Sequence, residues 1–472
     1  MYRLALCAKY LLSRWLTLVA TAAVFLGVGT LVVVMAVMGG FVKEVREACR
    51  GGLSDVIIDA DISGFPYYDV FIEVIKRHPN VAAATPVVQL YGLIRIKPDE
   101  STHYLGTLNR PCIVYGVRPE GLAATGKFGE YLLRQKDFAR PTFDVPAGVA
   151  DHLRLMDEQV YPGCIPGLEL VSYHPPKPVA GAPRSEVLMG PGAKAVLTTF
   201  PIAASGLVAT RGPGAYAPTM RAYTVVDHYK SRLYEFDSKF IFIPFEEAQK
   251  LGELGDPTGE NPDDPPRAHQ IRIRLRDYAQ ARATIDDLEG EWVRFRAARP
   301  VLFGSLVTFQ TWEQRQAMIL GMVEVQRTLM IILLGLIVVV AGFLIGAILT
   351  MIVKEKTRDI GILKSLGASD LGAAQIFLWY AGLVSGVGAL AGLAGGKIFI
   401  FYIDGIEQFV SRHLGFDVFP RELYYFDRIP RYEDPLYTAV VVVGAILWAV
   451  LCSGAAAWRA ARLQPVEALR YE

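Results

Sequence analysis

Side chains that commonly do chemistry are thinly spread in this sequence. The seven histidines, His78, His103, His152, His174, His228, His269 and His413, include no pair at the HxxxH spacing that presents two imidazoles to one metal. Asp151–His152 and Asp227–His228 are neighbours in sequence, which makes no catalytic pair; each histidine reads as an ordinary surface or core residue. The five cysteines, Cys7, Cys49, Cys112, Cys164 and Cys452, form no CxxC pair and no disulfide framework. Cys7 follows "LAL" rather than an apolar run, so it is not a lipidation site. No segment matches GxxxxGK[ST], the loop whose amides cradle phosphates; "AGGKIFI" and "MGPGAKAV" lack its Ser/Thr. The chain therefore reads as a protein with no catalytic residues, no metal site and no cofactor of its own. If it uses ATP and Mg, another chain must bind them.

One segment carries a pattern suited to docking, "VKEKTRDIGILKSLGASD" at 353–370. Lys354 to Leu366 can run as a helix, with Gly367 as its stop and Ser369 or Asp370 capping the next. Ile360, Leu363 and Leu366 follow at helical spacing, and Glu355, Arg358, Asp359 and Lys364 display both signs of charge. A solvated turn would also carry those charges. A turn would not need the apolar stripe, which suits a short amphipathic helix set into a soluble partner.

The elements that would position this segment are four charge-free runs. They lie between Arg14 and Lys43, Arg327 and Lys354, Asp370 and Lys397, and Asp434 and Arg459. Each exceeds the roughly 20 residues a helix needs to cross a bilayer. The first is too long for a signal-peptide core, and no A-x-A site follows it. Lys and Arg crowd the N-terminal tail, the loop between the second and third runs, and the C-terminal tail. In the loop 397–434 acidic residues outnumber basic ones. Both termini therefore face the cytoplasm. A net charge of +1 gives no basic field for nucleic acid.

Between the first two runs lies a stretch of soluble composition. "DVIIDA" reads as a strand, "YYDVFIEVIKR" as a helix and "VAAATPVVQLYGLIRI" as one or two strands. Later, "SKFIFIPFEEAQKL" reads as strand then helix. "QIRIRLRDY" alternates Ile271, Ile273 and Leu275 with Arg272, Arg274 and Arg276, the pattern of a half-buried strand, and a helix follows. The fold class is thus membrane α-helical, four transmembrane helices with a large α+β extracytoplasmic domain inserted between helices 1 and 2. The expected segments are 1–43 with the first helix, 44–326 as the external domain with an inserted subdomain at about 99–268, 327–353 as the second helix and 354–370 as the coupling helix. Next come 371–400 as the third helix, 401–434 as an external loop, 435–458 as the fourth helix and 459–472 as the cytoplasmic tail.

Three stretches carry a family resemblance: residues 13–47, residues 322–386 with "EKTRDIGILKSLGAS", and residues 424–472 ending "AWRAARLQPVEALRYE". They resemble the permease subunits of the bacterial lipoprotein-releasing ABC transporters, in a group with the macrolide exporters and the cell-division permease. The likeness covers all four helices and both ends of the soluble domain, and it departs at roughly 120–200. It implies a multi-pass protein of the bacterial inner membrane with a periplasmic domain. The implied partners are two copies of an ABC ATPase, a second permease of the same or a related chain, a lipoprotein cargo with membrane lipid, and a periplasmic lipoprotein carrier. Extracting acyl chains costs about 0.8 kcal/mol per CH₂, which calls for an energy source.

The resemblance also implies site residues. Glu355, Arg358, Asp359 and Lys364 would face the ATPase, with Ile360 and Leu363 filling its groove. Met35, Met38 and Phe41 of the first helix and Leu329, Met330 and Leu333 of the second would wall the path of the cargo lipid. A hairpin over 203–223, turning at Gly212, Pro213 and Gly214, would meet the carrier through Leu207, Val208 and Tyr216, with Arg211 steering. Other readings are a macrolide-type exporter, which usually carries its ATPase in the same chain, a cell-division permease, which has a much smaller external domain, and an anchored sensor.

Overall fold

The structure is a computed structural model. It describes residues 15–98, 106–138, 140–155, 159–174, 186–200, 218–231, 233–255, 265–302, 306–414 and 429–462. Two compact units result. Val45–Leu320 form one, and the apolar helices form the other.

Four helices are long and apolar enough to cross a membrane. The first runs Trp15–Leu53, the second Ala317–Glu355, the third Asp370–Leu414 and the fourth Pro435–Arg462. The first and second have 39 residues each, about 58 Å at 1.5 Å per residue, against a hydrocarbon layer of about 30 Å. They outrun the charge-free stretches because a helix needs only its own hydrogen bonds to continue into water. The third helix likewise continues past residue 400, through part of the expected loop 401–434, as far as Leu414. Its charges there are used: Lys397 pairs with Glu433 at 3.0 Å, and the Ile429 amide donates to Asp404 Oδ1.

Within the helical unit, Gly388, Gly392 and Gly396 form a ridge on the third helix. A Cβ on Gly392 would stand 2.6 Å from the Phe25 carbonyl, and one on Gly388 2.9 Å from that of Thr21. The small side chains let the first and third helices meet backbone to backbone, a packing that needs no hydrophobic driving force. Thr17 and Tyr380 share a buried hydroxyl–hydroxyl bond of 2.7 Å across the same pair. The fourth helix is tied to the second by Trp448 Nε1, which donates to the Val339 carbonyl at 3.1 Å. On the N-terminal half of the second helix, Leu329, Met330, Ile331, Ile332 and Leu333 are all exposed.

The other unit is built on one nine-stranded sheet. Its strands are β1 Val56–Ala60, β2 Val81–Ile96, β3 Leu108–Val117, β4 Gly163–Pro166, β5 Lys194–Thr199, β6 Thr219–Val225, β7 Phe240–Pro244, β8 Gln270–Leu275 and β9 Val307–Thr311. The spatial order is β9-β1-β8-β2-β3-β7-β4-β6-β5, and β5 also pairs with β2. The 16-residue β2 makes this possible. Val81–Val87 pair with β8, and Gly92–Arg95 pair with β5. Six strands from β2 to β5 therefore close into a ring, which leaves those strands no open edge. The region 99–268, expected as an inserted subdomain, supplies five strands of this sheet, β3 to β7.

The two ends of the domain pair, β1 lying antiparallel between β8 and β9. Helices Tyr68–Lys76 and Ala281–Ala297 cover one face, where Phe71 packs edge-on against Trp292 and tilted against Phe295. Ile271 and Ile273 are buried in that core. On the opposite face of β8, Arg276 is exposed and Arg274 partly so, but Arg272 is not solvated as a half-buried strand leads one to expect. Arg272 is 2% exposed, its guanidinium 5.0 Å above the Tyr115 ring.

Candidate functional site

The segment after the second membrane helix is kinked rather than one helix from Lys354. The helix runs through Glu355, breaks at Lys356, and resumes as a short helix Thr357–Ser365. At the break the Thr357 hydroxyl donates to the Lys354 carbonyl at 2.8 Å, a local bond that competes with regular helix. The C-terminus is closed as the sequence suggested. Gly367, at φ +95°, lets its amide reach the Lys364 carbonyl while the Ala368 amide reaches that of Leu363, both at 3.1 Å. Ser369 rather than Asp370 caps the third membrane helix, accepting from the Gly372 amide.

The apolar stripe is placed differently from the expectation. Ile360 is 5% exposed and belongs to the core of the helical unit, so it cannot fill a partner's groove. Leu363 is half-buried. The apolar groups offered outward are Ile362 and Leu366, 43% and 80% exposed and four residues apart. Lys364 is also turned inward. Its ammonium donates to the Ala461 carbonyl at 2.7 Å and pairs with Asp370 at 2.8 Å. Glu355, Arg358 and Asp359 are exposed, Asp359 beside Lys356 at 2.8 Å. Ile360 and Leu363 lie three apart on one face; the chain's own bundle takes Ile360, and spacing alone does not say which face a bundle takes.

The expected cargo wall is divided. Leu329, Met330 and Leu333 are exposed on the second helix, while Met35, Met38 and Phe41 are half-buried on the first. Of these six, Met35 lines a cavity of about 280 Å³. The expected hairpin residues Leu207, Val208, Arg211, Gly212, Pro213, Gly214 and Tyr216 lie outside the described residues. The strands flanking them are antiparallel partners with Thr199 opposite Thr219, the arrangement a hairpin requires.

Sequence reasoning missed a junction at the C-terminal end of the first helix. Asp55 is fully buried. It accepts from Arg50 Nε at 2.8 Å and from the Leu275 amide at 3.0 Å, and it pairs with Arg274 at 3.4 Å. From the middle of the sheet, Arg272 Nη1 donates to the Gly52 carbonyl at 2.8 Å. The last turn of the helix is thereby pinned to β8. Because Arg50 and Arg274 keep 38% and 40% of their surface, their charges stay hydrated if Asp55 is removed. The loss is then nearer the ~1–3 kcal/mol of an orphaned hydrogen bond than that of a stranded buried charge. A signal was present: an acid just past a long helix, facing a strand of alternating arginines.

Titrating groups in the sheet domain are governed by burial. Burial pushes Asp237 up to about 7, against the pull of the Ser231 amide and hydroxyl. Burial pushes His269 down to about 4. Its Nδ1 accepts from the Gln89 amide, so Nε2 carries the proton toward the Ile62 carbonyl. Cys49, Cys112, Cys164 and Cys452 are free thiols. Among the described residues no His, Cys, Asp and Glu cluster could hold a metal.

Four helices long and apolar enough to cross a membrane, a short linking helix and an intervening sheet domain make up the described chain. Residues 331–465 match the FtsX-like permease C-terminal domain. Over almost its whole length the chain is similar to lipoprotein-releasing system transmembrane proteins. It is 24% identical to LolC of Xylella fastidiosa (strain Temecula1) over 97% of this chain and 94% of that one. It is 26% identical to LolC of Neisseria meningitidis serogroup B, over the same shares. It is 32% identical to LolE of Haemophilus influenzae over 35% of this chain and 40% of that one. Among solved structures, the periplasmic region of MacB from Actinobacillus actinomycetemcomitans aligns at TM-score 0.28 and 9% identity, covering 59% of this chain and 97% of that one. The resemblance carried by residues 13–47, 322–386 and 424–472 thus extends along the chain.

Proposed function

We propose that this chain is the membrane subunit of an ABC transporter that extracts lipoproteins from the outer leaflet of a bacterial inner membrane and passes them to a periplasmic carrier. The ATPase is a separate chain, present in two copies, which binds ATP and Mg. It docks on the short helix Thr357–Ser365 through Ile362, Leu366 and the exposed charges Glu355, Arg358 and Asp359. A second permease completes the assembly, and the exposed apolar half of the second helix meets it or the cargo's acyl chains. The sheet domain stands in the periplasm, where the segment between β5 and β6 meets the carrier.

The observation that carries this reading is the linking helix. It is set off by a kink at Lys356 and by the turn at Gly367, and it offers Ile362 and Leu366 outward on the side that the basic residues place in the cytoplasm. Helices that meet only lipid have no use for such a surface. Support also comes from the similarity to lipoprotein-releasing proteins along 97% of the chain. Purification in mild detergent tests the assembly: an ABC ATPase should accompany the chain. Proteoliposomes of the recovered complex should then release an acylated protein to a soluble carrier only with ATP. An assembly that hydrolyses ATP and never releases an acylated protein would refute the transport reading. It would favour the cell-division alternative.

A further inference from the structure

At the rim of the helical unit lies the cavity of about 280 Å³ that Met35 helps to line. Its floor is apolar, with Val32 and Met35 of the first helix and Val441 of the fourth. Its mouth is charged and aromatic, with Arg327, Glu433, Asp434, Tyr432 and Tyr437. The mouth is firmly built. The Tyr432 amide donates to the Ala36 carbonyl at 2.9 Å, Lys43 lies 5.2 Å over the Tyr432 ring, and Glu433 is held by Lys397.

The charges fix the depth of this cavity in a bilayer. Arg327 is the last charge before the apolar run of the second helix, Asp434 the last before that of the fourth, and Lys43 the first after that of the first. All three gather at one level, with tyrosines among them, as at a membrane–water interface. Arg327 is the unusual member. Its guanidinium lies 5.6 Å over the Tyr437 ring and 3.6 Å from Glu324, and its Nε is buried with no hydrogen-bond partner. A buried N–H left without an acceptor is costly, and an anionic oxygen in the cavity would satisfy it.

We propose that this cavity holds the headgroup of one bilayer phospholipid, its phosphate on Arg327 and its amine toward Glu433 and Asp434. Charge around the mouth is balanced, with Arg327, Lys43 and Lys397 against Glu324, Glu433 and Asp434, which suits a headgroup bearing both signs, such as phosphoethanolamine, better than an anionic one. The volume lies just below the ~300–1,000 Å³ range of small-molecule sites. It takes a headgroup and leaves the acyl chains along Val32, Met35 and Val441. The proposal needs only that the four helices cross a membrane, so it stands or falls apart from lipoprotein release.

The test is native mass spectrometry of the full chain, with any co-purifying subunits. The sample is placed in nanodiscs of mixed phosphatidylethanolamine and phosphatidylglycerol and returned to detergent. One phosphatidylethanolamine per chain should survive detergent exchange. Arg327→Gln should lower its retention at least about tenfold, as loss of a charge-assisted bond requires. Val441→Trp, which fills the floor and leaves the charges, should do the same while the melting temperature shows the protein folded. Equal retention of phosphatidylglycerol would overturn the two-sign headgroup. Unchanged retention in either folded variant would overturn the site. Recovery of an acylated peptide instead of a phospholipid would assign the cavity to cargo.

Discussion

The ammonium of Lys364 caps the carbonyl of Ala461, 2.7 Å away and 97 residues on in the chain. One helix carries the surface proposed for the ATPase, and the other is the membrane helix farthest along the sequence. A cation on the last carbonyls of a helix is favoured by the helix dipole as well as by the hydrogen bond. Movement of the linking helix therefore reaches the fourth membrane helix directly. Lys364→Met keeps most of the side-chain volume and removes the cap. ATP hydrolysis by the assembled complex should persist while lipoprotein release per ATP falls several-fold, measured together in proteoliposomes. Parallel loss of both activities would mean that Lys364 serves assembly rather than transmission.

The two faces of the linking helix give opposed expectations. Ile362→Ser with Leu366→Ser removes exposed apolar groups, so stability should change by less than about 0.5 kcal/mol. Co-purification of the ATPase should drop sharply. Ile360→Ser puts a hydroxyl into a packed core, so it should cost roughly 2–4 kcal/mol and lower the melting temperature first. Thermal melts and ATPase pull-downs of the two variants distinguish the faces. The reverse pattern would restore Ile360 to the docking surface.

Asp237 and His269 set opposite pH dependences in the sheet domain. A carboxyl raised to about 7 holds its proton in the folded state where the unfolded chain has lost it, so stability falls as pH rises from about 4 to 7. A histidine lowered to about 4 stays neutral when the unfolded chain is charged, so stability rises with pH from about 4 to 6.5. The slopes oppose over most of the acid range. Asp237→Asn keeps an oxygen for the Ser231 amide and hydroxyl and removes the first slope. Melting temperature should then climb with pH between 4.5 and 6.5 more steeply than in the wild type. The variant should also be the more stable of the two at pH 8. Identical pH profiles would show that Asp237 does not titrate in that range.

β5 and β6 are joined by residues 200–218, and their pairing from Lys194 opposite Thr224 to Thr199 opposite Thr219 closes the ring without them. Replacing 208–218 with a short Gly/Ser turn should leave the melting temperature of the domain within about a degree. Binding of the periplasmic carrier should be lost, as read by titration with the purified carrier. Full carrier affinity in the shortened protein would remove this segment from the handover.

The four membrane helices were legible because charge is excluded from hydrocarbon, and gaps between charges can be counted. Their true ends were not, since Lys397 and Asp404 extend the third helix by finding partners at 433 and 429. The strands β1, β2, β7 and β8 could be read from alternation and β-branched runs. Closure of the ring could not, because it depends on β2 being long enough to serve two neighbours on one edge. Alternation placed Arg272 in water. Tertiary structure buried it beneath the end of the first helix, and periodicity within one strand cannot register what another element covers. Composition marks the linking helix at 357–365, but which of its faces points outward depends on what packs against it, which its own spacing does not register.

The chain enters the sheet domain on β1 and leaves it on β9, and these are hydrogen-bonded neighbours, Val56 opposite Thr311. A domain whose entrance and exit adjoin is an insertion in the strict sense: it can be exchanged, enlarged or trimmed without lengthening the path between the helices that flank it. The stretch at 120–200 can therefore change without altering the spacing of the apolar helices on either side of the domain, and a related sheet domain grafted between residues 55 and 312 would leave that spacing as it is.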